Sequence, residues 1–85
     1  MGGAPSFMLA NYCKMHDLQR KLGLRIRQLR TQLGYTQESF ADACSLHRNY
    51  MGSIERGEQN LTLKTIETIA RGLNTTVSKL FADLD

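Results

Sequence analysis

The sequence predicts an all-α domain, because apolar residues recur at helical spacing along most of its 85 residues. No segment shows the alternation of apolar and polar residues that is typical of half-buried strands. The single proline, Pro5, lies close to the N-terminus, so it interrupts none of the helices predicted further along. A chain of this length is sufficient for one small domain.

The first predicted helix begins near Asp17, which can cap it, and ends at Gly34, a residue type that favours helix C-termini. Its apolar stripe repeats every three or four residues and consists of Leu22, Ile26, Leu29 and Leu33. Residues 1–16 lack such a stripe. We therefore predict that residues 1–16 are a flexible tail or a short extra helix, and that residues 17–85 are the helical domain.

Residues 36–57 are predicted to form two short helices joined by a tight turn. Thr36 is a suitable N-cap for the first helix, and Glu38 suits the positive end of its dipole. The apolar faces of the two helices are formed by Phe40, Ala41, Cys44, Met51 and Ile54. This pattern indicates a helix-turn-helix, in which the second helix enters the major groove of DNA.

The polar face of the second helix carries the residues that we predict to contact DNA. Arg48 and Asn49 lie at its start, where Arg can bond guanine and Asn can bond adenine. Ser53 lies one turn further along the same side and is predicted to contribute to base readout. Arg56 is expected to contact the DNA backbone. Tyr50 fits the edge of the core and a phosphate contact equally well.

The charge distribution also favours nucleic acid, although the net charge is only +3. No acidic residue occurs between Leu18 and Gln37, whereas five basic residues do: Arg20, Lys21, Arg25, Arg27 and Arg30. A basic band beside a recognition helix attracts phosphates. The alternative interpretation of this band is an ordinary solvated helix face.

The segments TQESFA and YMGSIERGE, with an aliphatic residue after the turn between them, resemble the Cro/repressor-type helix-turn-helix family. The resemblance covers roughly residues 22–81 and implies a compact five-helix, lambda-repressor-like domain that binds DNA. The following segment, GEQNLTLKTIETIARGL, is similar to the controller proteins of restriction–modification systems. Related antitoxins and phage regulators share much of this segment.

The resemblance also implies roles for residues outside the recognition helix. Arg30 is expected to form an ion pair with Glu55 while it stays close to the DNA backbone. Gln37 is expected to contact a base or a phosphate, and the loop around Asn60 is expected to contact a phosphate.

Controller-type relatives form dimers through their last two helices. By this resemblance, Leu73, Val77 and Phe81 are expected at a homodimer interface; the alternative is that all three are core residues. A two-fold dimer would bind a palindromic operator with half-sites about one helical turn apart.

Two positions depart from the pattern of the family. Ser45 occupies the turn position that usually carries Gly, so we predict a positive φ at a non-glycine residue. His47 occupies the N-cap position that usually carries Ser, Thr or Asp. It is expected to cap the recognition helix less well, but it can still approach a phosphate.

The sequence contains no paired carboxylates, glycine-rich phosphate loop or nucleophile–base set, so we predict no enzyme, no cofactor and no small-molecule ligand. The spacing Cys13-x-x-His16 and Cys44-x-x-His47 resembles zinc ligands. However, Cys44 falls at a core position, so no metal site is predicted. No apolar stretch approaches the length of a membrane span, and two reduced cysteines suit the bacterial cytoplasm.

These observations favour a homodimeric, sequence-specific DNA-binding transcription regulator that acts on double-stranded operator DNA, possessing features of a restriction–modification controller. The alternative is an antitoxin or adaptor that uses the same fold for protein interaction. The residues Arg48 and Asn49 and the acid-free basic helix favour the first hypothesis.

Overall fold

The computed structural model describes the backbone of residues 3–84 and the side chains of residues 17–84, and it places five helices in this part of the chain. In chain order they are α1 (Gly3–Gln32), α2 (Gln37–Ala43), α3 (Arg48–Glu55), α4 (Leu63–Gly72) and α5 (Val77–Leu80). No strand occurs within residues 3–84, so the predicted all-α class is confirmed. Over the same range no helix has the length and apolar character that a membrane crossing requires.

Helix α1 starts earlier than the sequence suggested. It begins at Gly3, so Asp17 lies inside the helix instead of capping it, with its carboxylate 3.6 Å from the Lys21 ammonium. The flexibility proposed for residues 1–16 stays a prediction. The end of α1 is where it was expected: Gly34 has a φ of +85°, and the Tyr35 N–H donates to the carbonyl of Arg30.

Side-chain caps fix the beginnings of the four shorter helices. Thr36 accepts from the Ser39 N–H, and Ser39 bonds back to the Thr36 N–H, which forms a capping box. The hydroxyls of Thr62 and Thr76 cap α4 and α5 by accepting from the Thr65 and Lys79 N–H groups. His47 caps α3 through its ring, because Nδ1 accepts from the Asn49 N–H at 3.0 Å.

The core lies where α1, α2 and α3 meet α4 and α5. Its largest fully buried side chains are Phe40, Ile26, Met51, Ile69 and Leu80. Leu73 is also a core residue, with 4% of its surface exposed. Leu33 was predicted to extend the buried stripe of α1, but it is 45% exposed because it lies beyond the last residue of the helix.

Two glycines allow α1 to pass directly against the end of α3. A Cβ on Gly23 would lie 2.4 Å from the carbonyl oxygen of Glu55, and a Cβ on Gly57 would lie 2.6–2.9 Å from atoms of Arg20. Gly57 also has a φ of +77°. Both close approaches involve backbone atoms, so any larger residue would move α1 away from α3. The sequence pattern gave no indication of this role for Gly23.

The turn between α2 and α3 has the predicted left-handed residue. Ser45 has a φ of +57°, and the Leu46 N–H donates to the carbonyl of Ala41 while the Ser45 N–H donates to that of Asp42. This backbone conformation costs an L-residue roughly 1–2 kcal/mol, a cost that glycine avoids.

We therefore expect Ser45→Gly to raise the free energy of unfolding by up to about 1 kcal/mol, measured by urea denaturation. Ser78→Gly is the matched control, because Ser78 lies within α5 and the same substitution there lowers stability. A Ser45→Gly protein that unfolds at lower urea concentration than the wild type would contradict the role of backbone strain at this turn.

Candidate nucleic-acid interface

A concave, largely polar surface lies between the start of α2 and the exposed side of α3; we call it the recognition surface. It is lined by Thr36, Gln37, Glu38, Arg48, Asn49, Gly52 and Arg56. Three of the four residues predicted to read bases, namely Gln37, Arg48 and Asn49, are therefore brought together although they come from two helices. Arg56, predicted to contact the backbone, lies in the same surface.

Gly52 provides the space at the centre of the recognition surface. A Cβ at this position would lie 3.1 Å from Oε1 of Gln37 and 3.2 Å from Nη1 of Arg56. The ends of these two side chains therefore lie over the bare backbone of α3. A larger residue here would have to displace both.

Arg48 and Asn49 are exposed at the first turn of α3. Nη1 of Arg48 lies 3.6 Å from Oε1 of Glu38, which belongs to the first turn of α2. Both partners are more than half exposed, so this pair adds little stability. Its geometric effect is to draw the guanidinium of Arg48 towards α2, a contact that no sequence pattern indicated.

Ser53 does not belong to the recognition surface, which corrects the prediction that it reads a base. The residue is 8% exposed. Its hydroxyl donates to the carbonyl of Tyr50 at 2.7 Å and accepts from Nε2 of Gln59 at 3.0 Å. The side chain thus ties α3 to the loop that follows it. Tyr50 is half-buried and packs against the core, and its phosphate contact stays a prediction.

A buried ion pair joins α1 to the end of α3. Nε of Arg30 donates to Oε2 of Glu55 at 2.6 Å, and Nη2 donates to Oε1 at 3.0 Å. Nη1 donates to the carbonyl of Tyr35 at 3.1 Å. Both residues are 8% exposed. The expected pair is present, but the burial of Arg30 and the use of its donors correct the prediction that it contacts a phosphate.

Gln37 connects this ion pair to the recognition surface. Its Nε2 donates to Oε1 of Glu55 at 3.1 Å, and its Oε1 lies over Gly52. The carboxylate of Glu55 therefore orients the amide and directs an acceptor to the surface. The sequence placed Gln37 at a DNA contact but did not reveal the residue that orients it.

Arg56 is held by Glu58, two residues further along the chain. Nε donates to Oε2 at 3.0 Å, and Nη2 donates to Oε1 at 3.1 Å. The hydrogen bond with Arg56 lowers the pKa of the Glu58 carboxyl, and the same bond raises the pKa of Arg56. Both side chains are exposed, so the pair constrains direction more than it contributes to stability.

The other predicted phosphate contacts lie outside the recognition surface. His47 is exposed and engages its Nδ1 in capping α3. Asn60 is exposed, and its Oδ1 accepts from Nε2 of Gln19 on α1. This bond, which the sequence did not predict, connects the loop before α4 to α1.

The zinc alternative receives no support from the described side chains. Cys44 is 5% exposed, and this burial raises the pKa of its thiol, which disfavours the thiolate that binds metal. Cys13 and His16 lie outside the residues whose side chains are described. Within residues 17–84, no three His, Cys, Asp or Glu residues are grouped as a metal site would require.

Comparison with known proteins identifies the family. The helix-turn-helix family model HTH_3 matches residues 26–80, which span the end of α1 through α5. The chain belongs to this Cro/C1-type helix-turn-helix family. It is accordingly a DNA-binding transcription regulator, and the prediction that it is not an enzyme agrees with its relatives, which are control proteins and regulators.

Several relatives are restriction–modification control proteins. The control protein C.SmaI of Serratia marcescens is 42% identical over 71 residues, 84% of this chain and 83% of that protein. The crystal structure of C.AhdI from Aeromonas hydrophila superimposes with a TM-score of 0.71 at 40% identity, over 74% of this chain and 96% of that one. A C.Esp1396I tetramer bound to its natural 35-base-pair operator gives a TM-score of 0.71 at 37% identity, over 79% and 88% of the two chains.

Removing one partner of the buried pair should lower stability strongly. We expect Glu55→Gln or Arg30→Met alone to lower the free energy of unfolding by about 3–5 kcal/mol, because each leaves the partner charge buried without its counterion. Urea denaturation measures the loss.

Arg71 and Glu67 provide the matched control, because they form an exposed pair at 3.9 Å on α4. Glu67→Gln and Arg71→Met should each cost less than about 1 kcal/mol. Equal losses at the two pairs would show that burial of Arg30 and Glu55 does not govern their contribution.

Proposed function

We propose that this regulator is the controller protein of a restriction–modification system, and that it binds a palindromic operator as a homodimer in the bacterial cytoplasm. Its similarity to C.SmaI and C.AhdI supports the controller assignment. The observation that carries the proposal is the recognition surface itself, in which two helices present Gln37, Arg48 and Asn49 together.

In the proposed complex, α3 enters the major groove and the recognition surface faces the base edges. Arg48 donates two bonds to guanine, and Asn49 pairs with adenine through its amide. Gln37 adds a contact from α2, with its orientation set by Glu55. Each good bidentate contact discriminates against a wrong base by roughly 1–3 kcal/mol. These contacts supply the specificity.

Contacts with phosphates supply most of the sequence-independent affinity. His47, Tyr50 and Asn60 lie outside the residues that line the recognition surface and are proposed to meet the backbone, together with exposed basic residues of α1. Binding through such contacts releases counterions, so the affinity should fall steeply as the salt concentration rises.

The proposed dimer uses α5 and the adjoining face of α4. Leu73 was expected at this interface, but its burial makes it a core residue of the single chain, which corrects that assignment. Val77, the first residue of α5, is 39% exposed, and Phe81, the C-cap residue of α5, is partly exposed. Leu63 on α4 is 82% exposed. We therefore propose Val77 and Phe81 as interface residues.

The second candidate is an antitoxin or adaptor that uses this fold to bind a protein. Sequence-specific DNA binding separates the two hypotheses. Selection of bound duplexes from random DNA, at near-physiological salt, should yield two inverted half-sites about one helical turn apart. A selected pool without an enriched motif would overturn the proposed operator-binding function in favour of a protein partner.

We expect Arg48→Ala and Asn49→Ala each to weaken binding to the selected operator by roughly five-fold or more, because each removes a base contact of about 1–3 kcal/mol. Binding to a scrambled duplex should change far less for Asn49→Ala. Fluorescence anisotropy measures both affinities, and the melting temperature verifies that the fold is intact.

Arg71→Ala is the matched control for Arg48→Ala, because Arg71 is an exposed arginine on α4 outside the recognition surface. It removes one positive charge without removing a base contact. If Arg48→Ala loses no more operator discrimination than Arg71→Ala, Arg48 does not read a base.

The proposed interface makes a separate prediction. Val77→Asp should shift the protein towards monomer in sedimentation equilibrium, because the carboxylate would be buried between subunits without a partner. Ser78→Asp introduces the same charge at the neighbouring exposed position in the first turn of α5 and should leave the oligomeric state unchanged. Dimers of undiminished stability in Val77→Asp would place the interface elsewhere.

A further inference from the structure

Arg56 and Glu58 form a clamp whose two ends are fixed by the backbone between them. Gly57 adopts a left-handed φ of +77°, which reverses the chain directly after α3. The Gly57 N–H donates to the carbonyl of Ile54, and the Glu58 N–H donates to that of Ser53, both at 3.0 Å. The Cα of Glu58 is therefore held beside the end of the recognition helix, within reach of Arg56.

The clamp directs Arg56 across the recognition surface. Two of the three guanidinium nitrogens, Nε and Nη2, donate to the Glu58 carboxylate. The third, Nη1, lies over Gly52, as does Oε1 of Gln37. The guanidinium is thus neutralised on one edge and presents the other edge to the recognition surface, so Arg56 could make the backbone contact expected from the sequence only by leaving Glu58.

We propose that Glu58 is a specificity-determining residue of this regulator: by holding Arg56 over Gly52, it withholds a positive charge from the phosphates of non-operator DNA. This inference rests on the proposed operator binding and deepens it. Glu58 touches no DNA in this proposal and acts through Arg56, so it is a positioning residue.

Glu58 can affect specificity because the operator complex and the non-operator complex depend on different contacts. Non-operator binding depends on phosphate contacts and counterion release. To add such a contact, Arg56 would have to leave Glu58, and the carboxylate left behind would repel the same phosphates. In the operator complex, Arg48 and Asn49 fix the recognition helix in the groove, where the clamped Arg56 already faces the bases. The penalty therefore falls mainly on non-operator DNA.

The clamp raises the ratio of operator affinity to non-operator affinity only if Arg56 and Glu58 stay bonded in the operator complex. This requirement separates the proposal from a general effect of surface charge. Neutralising any acid near DNA strengthens all complexes through the summed field. Neutralising Glu58 should instead favour non-operator complexes selectively, because it frees Arg56 to contact a phosphate.

The experiment compares the full chain with Glu58→Gln on two probes, the selected operator and a scrambled duplex of the same composition. Fluorescence anisotropy gives the dissociation constants over a series of salt concentrations. We expect Glu58→Gln to bind the scrambled duplex several-fold to roughly ten-fold more tightly, with a salt slope steeper by about 1, since one phosphate contact is added. Operator affinity should rise less, so that the ratio of the two affinities falls.

Glu67→Gln is the matched control, because it removes the same charge from another exposed arginine pair, on α4. An unchanged affinity ratio in Glu58→Gln, or a change no larger than that in Glu67→Gln, would overturn the proposal.

The Arg56→Ala background tests whether Glu58 acts through Arg56. If it does, Glu58→Gln should have no selective effect on the scrambled duplex once Arg56 is absent. A selective effect that persists in Arg56→Ala would overturn the clamp, because Glu58 would then act on the DNA directly.

Measurements on the wild-type protein distinguish a failure of this inference from a failure of the proposed function. Wild-type protein that binds the selected operator no more tightly than the scrambled duplex would overturn both. Wild-type protein that discriminates, with a Glu58→Gln variant that discriminates equally well, would overturn only the role of Glu58.

Discussion

The buried ion pair between Arg30 and Glu55 determines where the recognition helix lies. Its two hydrogen bonds attach the C-terminal end of α3 to α1, and the remaining guanidinium nitrogen attaches the same arginine to the turn before α2. One side chain thus fixes three consecutive elements. Because two bonds define both distance and angle, the pair constrains α3 more tightly than apolar contacts of the same area would.

Close packing of α1 against α3 places this pair in the interior. Because Gly23 has no side chain, the carbonyl groups at the C-terminal end of α3 can approach the backbone of α1 closely. Gly57 likewise allows the chain to change direction next to Arg20. At that separation the carboxylate of Glu55 is shielded from water and is also within reach of Gln37. The stability of the fold and the orientation of a residue at the recognition surface therefore depend on the same carboxylate.

The recognition surface combines exposed arginines with nearby acids. Arg48 lies close to Glu38, and Arg56 is bonded to Glu58. A surface that carried only cations would attract the phosphates of any DNA sequence. A guanidinium group that is paired with a carboxylate adds less net charge to the surface but keeps N–H donors that can bond a base. Such pairs contribute little to folding. Their direction matters more, since base readout depends on the geometry of donors, whereas attraction to phosphates depends mainly on charge.

The sequence by itself determined the helical class, the helix-turn-helix, the cap at Thr36 and the left-handed Ser45, because periodicity, capping and turn geometry depend on residues close together in the chain. It also placed Arg48 and Asn49 on the exposed face of the second motif helix, since the motif has a regular geometry, and the family resemblance added Gln37. Only the tertiary structure decided that Ser53 and Leu73 are buried, that Arg30 lies inside, and that Gly23 is a contact point. These properties depend on which distant segments pack together. The residues that set the packing of α1 against α3 are about thirty positions apart in the chain. Local sequence patterns do not encode contacts over that separation.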